Sequence, residues 1–249
     1  MTSLGTATTV DIGTRAHDVP LTLLIPLGAT EQHGPHLPLA TDTIIAEAIA
    51  VGAAAILGPT VHVAPAVPYG ASGEHAGFSG TLSIGTSALT QVLIELGRSA
   101  TAPGGGPFAA VVFVNGHGGN QDALHAAATV LAGEGRRVRG WWPLLAPSEP
   151  RHDAHAGWTE TSLLLAIAPQ TVRTDRAEAG NVAPLNEVLD ALRGGGMRAV
   201  SSNGVLGNPA GASADDGHAI LATFVDQLCA NIRAMTFDLA PAHGEPDVT

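Results

Sequence analysis

An α/β fold of three layers, with helices on both sides of a mainly parallel sheet, is what this 249-residue sequence predicts. Two unbroken apolar runs carry that expectation, Leu21 to Leu27 (LTLLIPL) and Phe108 to Val114 (FAAVVFV). Strands covered on both faces read this way, because neither side alternates toward water. A third observation is that strand-like runs alternate with segments of helical spacing, as βαβ units require.

In chain order, the run ending at Leu27 is followed by a polar loop. A helix face comes next, marked by Ile45, Ala48, Ile49, Gly52 and Ile56, with Asp42 or Thr43 as its N-cap. Val61 to Val67 reads as a second strand, and Tyr69 to Gly85 as a glycine-rich loop. Leu89, Val92, Leu93 and Leu96 define another helix, and Thr101 to Pro107 (TAPGGGP) a flexible connection. The strand from Phe108 runs into Asn115-Gly116-His117-Gly118-Gly119-Asn120 and a helix carrying Leu124, Ala127, Ala128 and Leu131. Val138 to Leu145 makes a further strand. Helices are expected from near Trp158 to before Pro169, over Pro184 to Leu192, and over Ala219 to Met235. One domain over residues 1–239 and a flexible tail over 240–249 complete the expectation.

Composition narrows the function classes. Twenty-two acidic residues against eleven basic ones, all arginine, give a net charge of −11. A nucleic-acid footprint needs a basic stripe, so nucleic acid is not an expected partner. The short cluster Arg136-Arg137-Val138-Arg139 reads as a solvated loop. The single cysteine, Cys229, lies among apolar residues at helical spacing and reads as a buried thiol. No apolar run reaches the roughly 20 residues of a membrane span, and the first residues lack the order of a secretory signal. A cytoplasmic location is expected, with no membrane partner.

Polar residues cluster where the predicted strands end, which is where open α/β sheets bind ligands. After the first strand come Glu31-Gln32-His33, then Pro35-His36-Leu37-Pro38 and Thr41-Asp42. Residues two apart in extended chain face the same way, so Glu31 and His33 can address one ion, and Asp42 can fold back beside them. Two carboxylates and an imidazole suit Zn²⁺, Mn²⁺ or Fe²⁺. A surface loop with capping side chains is the competing reading. After the best strand comes His117, flanked by glycines. A phosphate cradle fails there, because the run matches neither the P-loop nor GxGxxG and the chain has no lysine. Glu160 stands in the first turn of a helix, where the dipole favours an acid in any case. His155 lies just outside that helix, with His152 and Asp153 nearby. In the glycine-rich loop, Gly70-Ala71-Ser72-Gly73-Glu74 misses the serine-hydrolase elbow at its last position. Glu74 and His75 read instead as groups that face substrate or orient metal ligands.

Taken in order, LGATEQHGPHLPLATD, VNGHGGN and HAGWTETS closely resemble the creatininase family, and the resemblance runs from about Leu24 to Gly217. It implies two divalent ions at the carboxyl edge of the sheet. Glu31, Asp42 and His117 would hold one, and His33 with a bridging Asp42 the other. Creatininase takes a further carboxylate two residues after the strand-end histidine, where this chain has Gly119. Relatives with NGHGGN obtain it from the HAGxxETS segment, which makes Glu160 the candidate ligand. His155 matches the family's catalytic histidine. YGASGEH, LGRSA and RAVSSNGVLGNP look most like the mycofactocin-system members, peptidases that trim a C-terminally modified precursor peptide and release its remodelled Val-Tyr end. That resemblance implies Tyr69, Ser72, Glu74, His75 and Thr81 as substrate-binding residues, hydrolysis by a metal-bridging hydroxide, and a homo-oligomer. An amidohydrolase acting on a cyclic amide or formamide is the alternative, and a non-catalytic metal-binding scaffold a second one.

Overall fold

In the computed structural model, residues 3–104, 106–145 and 153–237 are described. The tail expected over 240–249 and His152 lie outside them. Four strands form one sheet in the order β2-β1-β3-β4: β1 (Leu21–Leu27), β2 (Val61–Val63), β3 (Phe108–Asn115) and β4 (Val138–Trp141). Every pairing is parallel. β1 lies at the centre and is buried along its whole length, which explains its unbroken apolar run. Its last residue, Leu27, pairs with Asn115 at the end of β3, so the loops that follow these two strands leave side by side.

The pleat sends alternate residues to two cores. Leu24, Val112 and Val114 face α2 (Thr41–Leu57), α5 (Trp158–Ile167) and α8 (Ala214–Phe237), where Ile49, Leu164 and Leu228 are fully buried. Leu23, Ile25, Val111 and Phe113 face α1 (Thr9–Asp18), α3 (Gly85–Ala100) and α4 (Gln121–Gly133), against Ile12, Leu93 and Leu131. The result is the αβα sandwich. Two further helices, α6 (Leu185–Gly195) and α7 (Met197–Val200), pack against the turn at Gly73–His75. Cys229 is buried on α8. No helix among the described residues is long and apolar enough to cross a membrane.

Several boundaries differ from expectation for local reasons. β4 stops at Trp141 instead of Leu145, because Trp142 leads into Pro143, which cannot donate to a ladder. β2 stops at Val63 before Ala64-Pro65, and Val67 makes only an isolated bridge to Leu27. The cap position of α2 is Ala40, so Asp42 and Thr43 lie inside its first turn. α8 begins five residues earlier than predicted, where the Ser213 hydroxyl accepts the Asp216 N–H at 3.1 Å. α1 was not anticipated, although its capping box is legible: Thr8 and Asp11 exchange backbone and side-chain hydrogen bonds. Arg136 is not solvated. Its guanidinium binds the carbonyls of Arg98 and Pro103 at 3.0 and 2.9 Å and pins the turn before β3.

Phe113 is 1% exposed at the centre of the second core. Truncating Phe113→Ala should cost about 3–5 kcal/mol and lower the melting temperature by about 10 °C. A calorimetric shift within scan error would contradict the packing described.

Candidate metal centre

Three loops build the site. The first leaves β1 through Gly28, where an added Cβ would lie 2.2 Å from the Thr43 hydroxyl, so only glycine lets the chain press onto the start of α2. Backbone bonds from Glu31 N to Leu39 O (3.0 Å) and from Leu37 N to His33 O (3.3 Å) fold this loop back on itself. Gly34 turns it at φ 63°. Asp42 thereby comes to stand beside Glu31 and His33. The second loop leaves β3 through Gly116, whose Cβ would meet the Asp42 carbonyl at 2.3 Å. Asn115 and Asn120 tie it down: Asn120 donates to Gly28 O (3.0 Å) and accepts from Ala71 N (2.9 Å), while Asn115 donates to His117 O (2.7 Å). The third loop is pinned by His155, whose backbone N and O both bond Leu206, at 3.1 and 2.9 Å. Asp153 then caps α5 by accepting the Trp158 and Thr159 N–H groups. Its role is structural, which sequence polarity alone did not reveal.

Six side chains from these loops converge. His33 Nε2 lies 3.0 Å from Asp42 Oδ1 and 3.8 Å from Glu160 Oε2. His117 Nδ1 lies 3.2 Å from Glu31 Oε1 and 3.4 Å from Asp42 Oδ2. His155 Nδ1 is 3.9 Å from Glu31 Oε1, and its ring centre is 4.3 Å from that of His33. Three overlapping sets have ligand atoms close enough to share a cation: Glu31, Asp42 and His117; His33, Asp42 and Glu160; Glu31, His33 and His155. Asp42 offers one oxygen to each of the first two sets.

A cation fits this donor set. Both carboxylate oxygens of Glu31 and Oδ2 of Asp42 are buried without a hydrogen-bond partner among the described residues, a costly state for ionised oxygen unless a positive charge stands there. The histidines are oriented as metal ligands usually are, with the outward nitrogen held by an acceptor. His33 Nδ1 donates to Glu31 O at 3.1 Å, which turns Nε2 to the carboxylates. His117 Nε2 faces Ala71 O at 3.3 Å and Glu74 Oε1 at 3.4 Å, which turns Nδ1 inward. His155 Nε2 donates to Gln32 O at 2.9 Å, again leaving Nδ1 toward the cluster.

Electrostatics follow from crowding. Burial opposes ionisation of Glu31, yet the charge of His117, with His33 adding, holds its carboxyl well below the usual range. Burial likewise pulls His33 down, but the charge and hydrogen bond of Asp42, with Glu160 and Glu31, raise it to about 10. His117 is raised well above its ordinary value by Glu31, Glu74 and Asp42 despite burial. Glu160 is pushed up to about 7 by burial, with Asp42 adding and His33 opposing. His155 is driven well below its ordinary value by burial and by the neighbouring His33 and His75, so it stays neutral.

Both readings of Glu160 hold at once. Its Oε2 accepts the Ala156 N–H at 2.6 Å at the helix start and also faces His33. Ala156 pays for this contact with a left-handed φ of 52° while fully buried. Gly119 has no room for a side chain, because its Cβ would fall 2.4 Å from Glu74 Oε1 and 2.5 Å from His117 Nε2. His75 lies in the cluster, 3.3 Å from Glu31 Oε1. Thr81 accepts the Gln32 N–H at 3.1 Å. Tyr69 is 46% exposed, and Ser72 is fully buried, its hydroxyl without a hydrogen-bond partner among the described residues while its carbonyl accepts the His75 N–H at 3.1 Å. Sequence reasoning passed over Gln32 and the two asparagines. Their signal was a polar side chain set directly between or beside candidate ligands. A separate cavity of about 600 Å³, beside Ile12 and Phe108 at the amino end of β3, has no titratable group in its lining and does not compete.

The family model described as creatinine amidohydrolase matches residues 6–232. A mycofactocin precursor peptide peptidase of Mycolicibacterium smegmatis is 50% identical over 227 residues, covering 90% of this chain and 87% of that protein. A creatinine amidohydrolase of Pseudomonas putida is 27% identical over 179 residues, 62% of this chain and 67% of that one. Among solved structures, a tryptophan-to-phenylalanine creatininase mutant superposes with a TM-score of 0.78 at 25% identity, over 94% of this chain and 99% of that one. Fold, cluster and relatives together define a metal-dependent amidohydrolase. Within that class, the chain belongs to the creatininase family.

Because His33 and His117 hold protons tightly in the metal-free cluster, a cation must displace them. Affinity for Zn²⁺ should therefore fall as pH falls, by about tenfold per pH unit for each proton displaced. Competition titrations against a chelator measure this, and a pH-independent affinity would contradict the arrangement.

Proposed function

We propose that the chain hydrolyses a peptide bond in a C-terminally modified precursor peptide, releasing its remodelled Val-Tyr end, with two divalent ions held by Glu31, His33, Asp42, His117 and Glu160. The observation that carries this reading is the pair of cation-sized ligand sets sharing Asp42, one completed by Glu31 and His117 and the other by His33 and Glu160. The substrate class follows the name of the relative that is 50% identical. Zinc, iron and manganese all suit these ligands. Such ions would bring the pKa of bound water to about 7 and polarise the scissile carbonyl.

The protein's own groups do the rest. The oxygen of water adds to the acyl carbon, the C–N bond breaks, and the departing nitrogen must gain a proton. His155 is placed for that transfer: it is neutral, its Nε2–H is occupied by Gln32 O, and its Nδ1 is open to the cluster. It takes the proton from the attacking water at Nδ1 and hands it to the amine, a contribution of about 10²–10⁴-fold. Glu160, whose Oε2 faces His33 at 3.8 Å, would complete the second ligand set as a carboxylate and take up a proton only where no ion is bound. Glu74 holds His117 in place from behind. Tyr69, Ser72 and Thr81, on the loop that carries Glu74 and His75, form the substrate side of the site in this reading, in a cytoplasmic homo-oligomer.

Action on a small cyclic amide is the second reading, favoured by the 27% identity to a creatinine amidohydrolase. The packing of Glu74 into the space beside Gly119 speaks against it, since creatininase is expected to place a carboxylate there.

His155→Ala should keep its metal content and lose turnover of the modified peptide by at least about 10²-fold, as followed by mass spectrometry of the released fragment. Normal turnover would remove His155 from the mechanism. Asp42→Ala should lose both ions together, and elemental analysis finding two equivalents retained would refute the bridging role.

A further inference from the structure

The motif around Asn203-Gly204-Val205 stands far from the metal ligands in sequence and supplies none of them. In the fold it meets Gln32, the residue between Glu31 and His33. We infer that Gln32, seated on Gly204, is a positioning residue that forces His75 to carry its ring proton on Nε2, so that the nitrogen nearest Glu31 has no lone pair to offer a cation. The inference rests on reading the cluster as a cation site.

Donors and acceptors decide the matter. The Gln32 side chain is 5% exposed, so each of its polar atoms needs a partner. Its Oε1 receives the Gly34 backbone N–H at 2.9 Å, and its Nε2 meets the Gly204 carbonyl at 3.0 Å. A backbone N–H only donates and a carbonyl only accepts, so the two ends of the amide cannot be exchanged. The second Nε2 hydrogen then goes to His75 Nδ1 at 2.8 Å, which must be the unprotonated nitrogen. The ring proton of neutral His75 therefore sits on Nε2, the atom 3.3 Å from Glu31 Oε1. His155 Nε2 also lies near this amide, at 3.2 Å, but its proton is committed to Gln32 O, so the two donors merely sit side by side. Gly204 is shaped to receive the amide, since at φ 79° its missing Cβ would fall 2.0 Å from Gln32 Oε1.

The consequence is selective. Four imidazoles surround Glu31 and Asp42, and three turn a nitrogen inward that a cation can take. His75 is the exception, because the nitrogen nearest Glu31, at 3.3 Å from Oε1, carries the ring proton and has no lone pair for an ion. With a lone pair there instead, His75 would become a competing ligand or repel Glu31.

Long-range ¹H–¹⁵N spectra of histidine-labelled, zinc-loaded protein test this, with the His75 signals assigned by comparison with His75→Gln. The wild type should show His75 protonated at Nε2. In Gln32→Glu, whose carboxylate only accepts, the proton should move to Nδ1, and kcat should fall by about 10–100-fold with KM and zinc content held. Gly204→Ala, which pushes the amide away from the opposite side, should produce the same tautomer change. His75 protonated at Nδ1 in the wild type would overturn the inference without any variant. So would a Gln32→Glu protein with unchanged tautomer and full turnover. A wild type that binds zinc, keeps the Nε2–H tautomer and leaves peptide intact would sustain this inference and refute the peptidase reading.

Discussion

Mutual repulsion among crowded, largely buried acids is the constraint on which this structure turns. Glu31, Asp42 and Glu160 are gathered beyond the ends of β1 and β3, with three of their oxygens lacking any hydrogen bond among the described residues. Ionised oxygen in such a place is expensive, and protons borrowed by His33 and His117 relieve it only in part. A divalent cation would relieve it further. The same charges that make the cluster costly are what suit it to a cation.

The scaffold exists to hold that costly arrangement still. The Leu27–Asn115 register sets the two principal loops side by side. Gly28 and Gly116 then let both loops approach the start of α2 more closely than any side chain permits. Asn120 of the second loop stitches it to the first and to the loop carrying Glu74 and His75. Each candidate ligand is thus held by backbone hydrogen bonds and close packing, and the outward nitrogens of His33, His117 and His155 all find acceptors. Precision at the site is inherited from the sheet.

Much of this was legible in the sequence because its causes are local. LTLLIPL and FAAVVFV are buried on both faces and read as such, and a histidine between glycines at a strand's end announces a close approach. The convergence of Glu31, His33, Asp42, His117, His155 and Glu160 was legible from strand order and from the resemblance of their motifs. Features that depend on distant partners were not. Arg136 looked solvated because the carbonyls it binds lie more than thirty residues away. Asp153 looked like loop polarity because its role appears only when α5 begins five residues later. Gln32 sat in plain view between two candidate ligands, yet its amide is seated by Gly204, 172 positions along the chain. The short strands β2 and β4 were overdrawn because hydrophobicity continued past the prolines that end them.

The claim that the converging acids and imidazoles hold paired cations is tested most directly by anomalous diffraction, recorded at the absorption edge of the bound metal on crystals of the purified protein. The account predicts two peaks, one bounded by Glu31, Asp42 and His117 and the other by His33, Asp42 and Glu160, with Asp42 between them. A metal found elsewhere on the molecule, with these six side chains arranged as described and no peak among them, would contradict it.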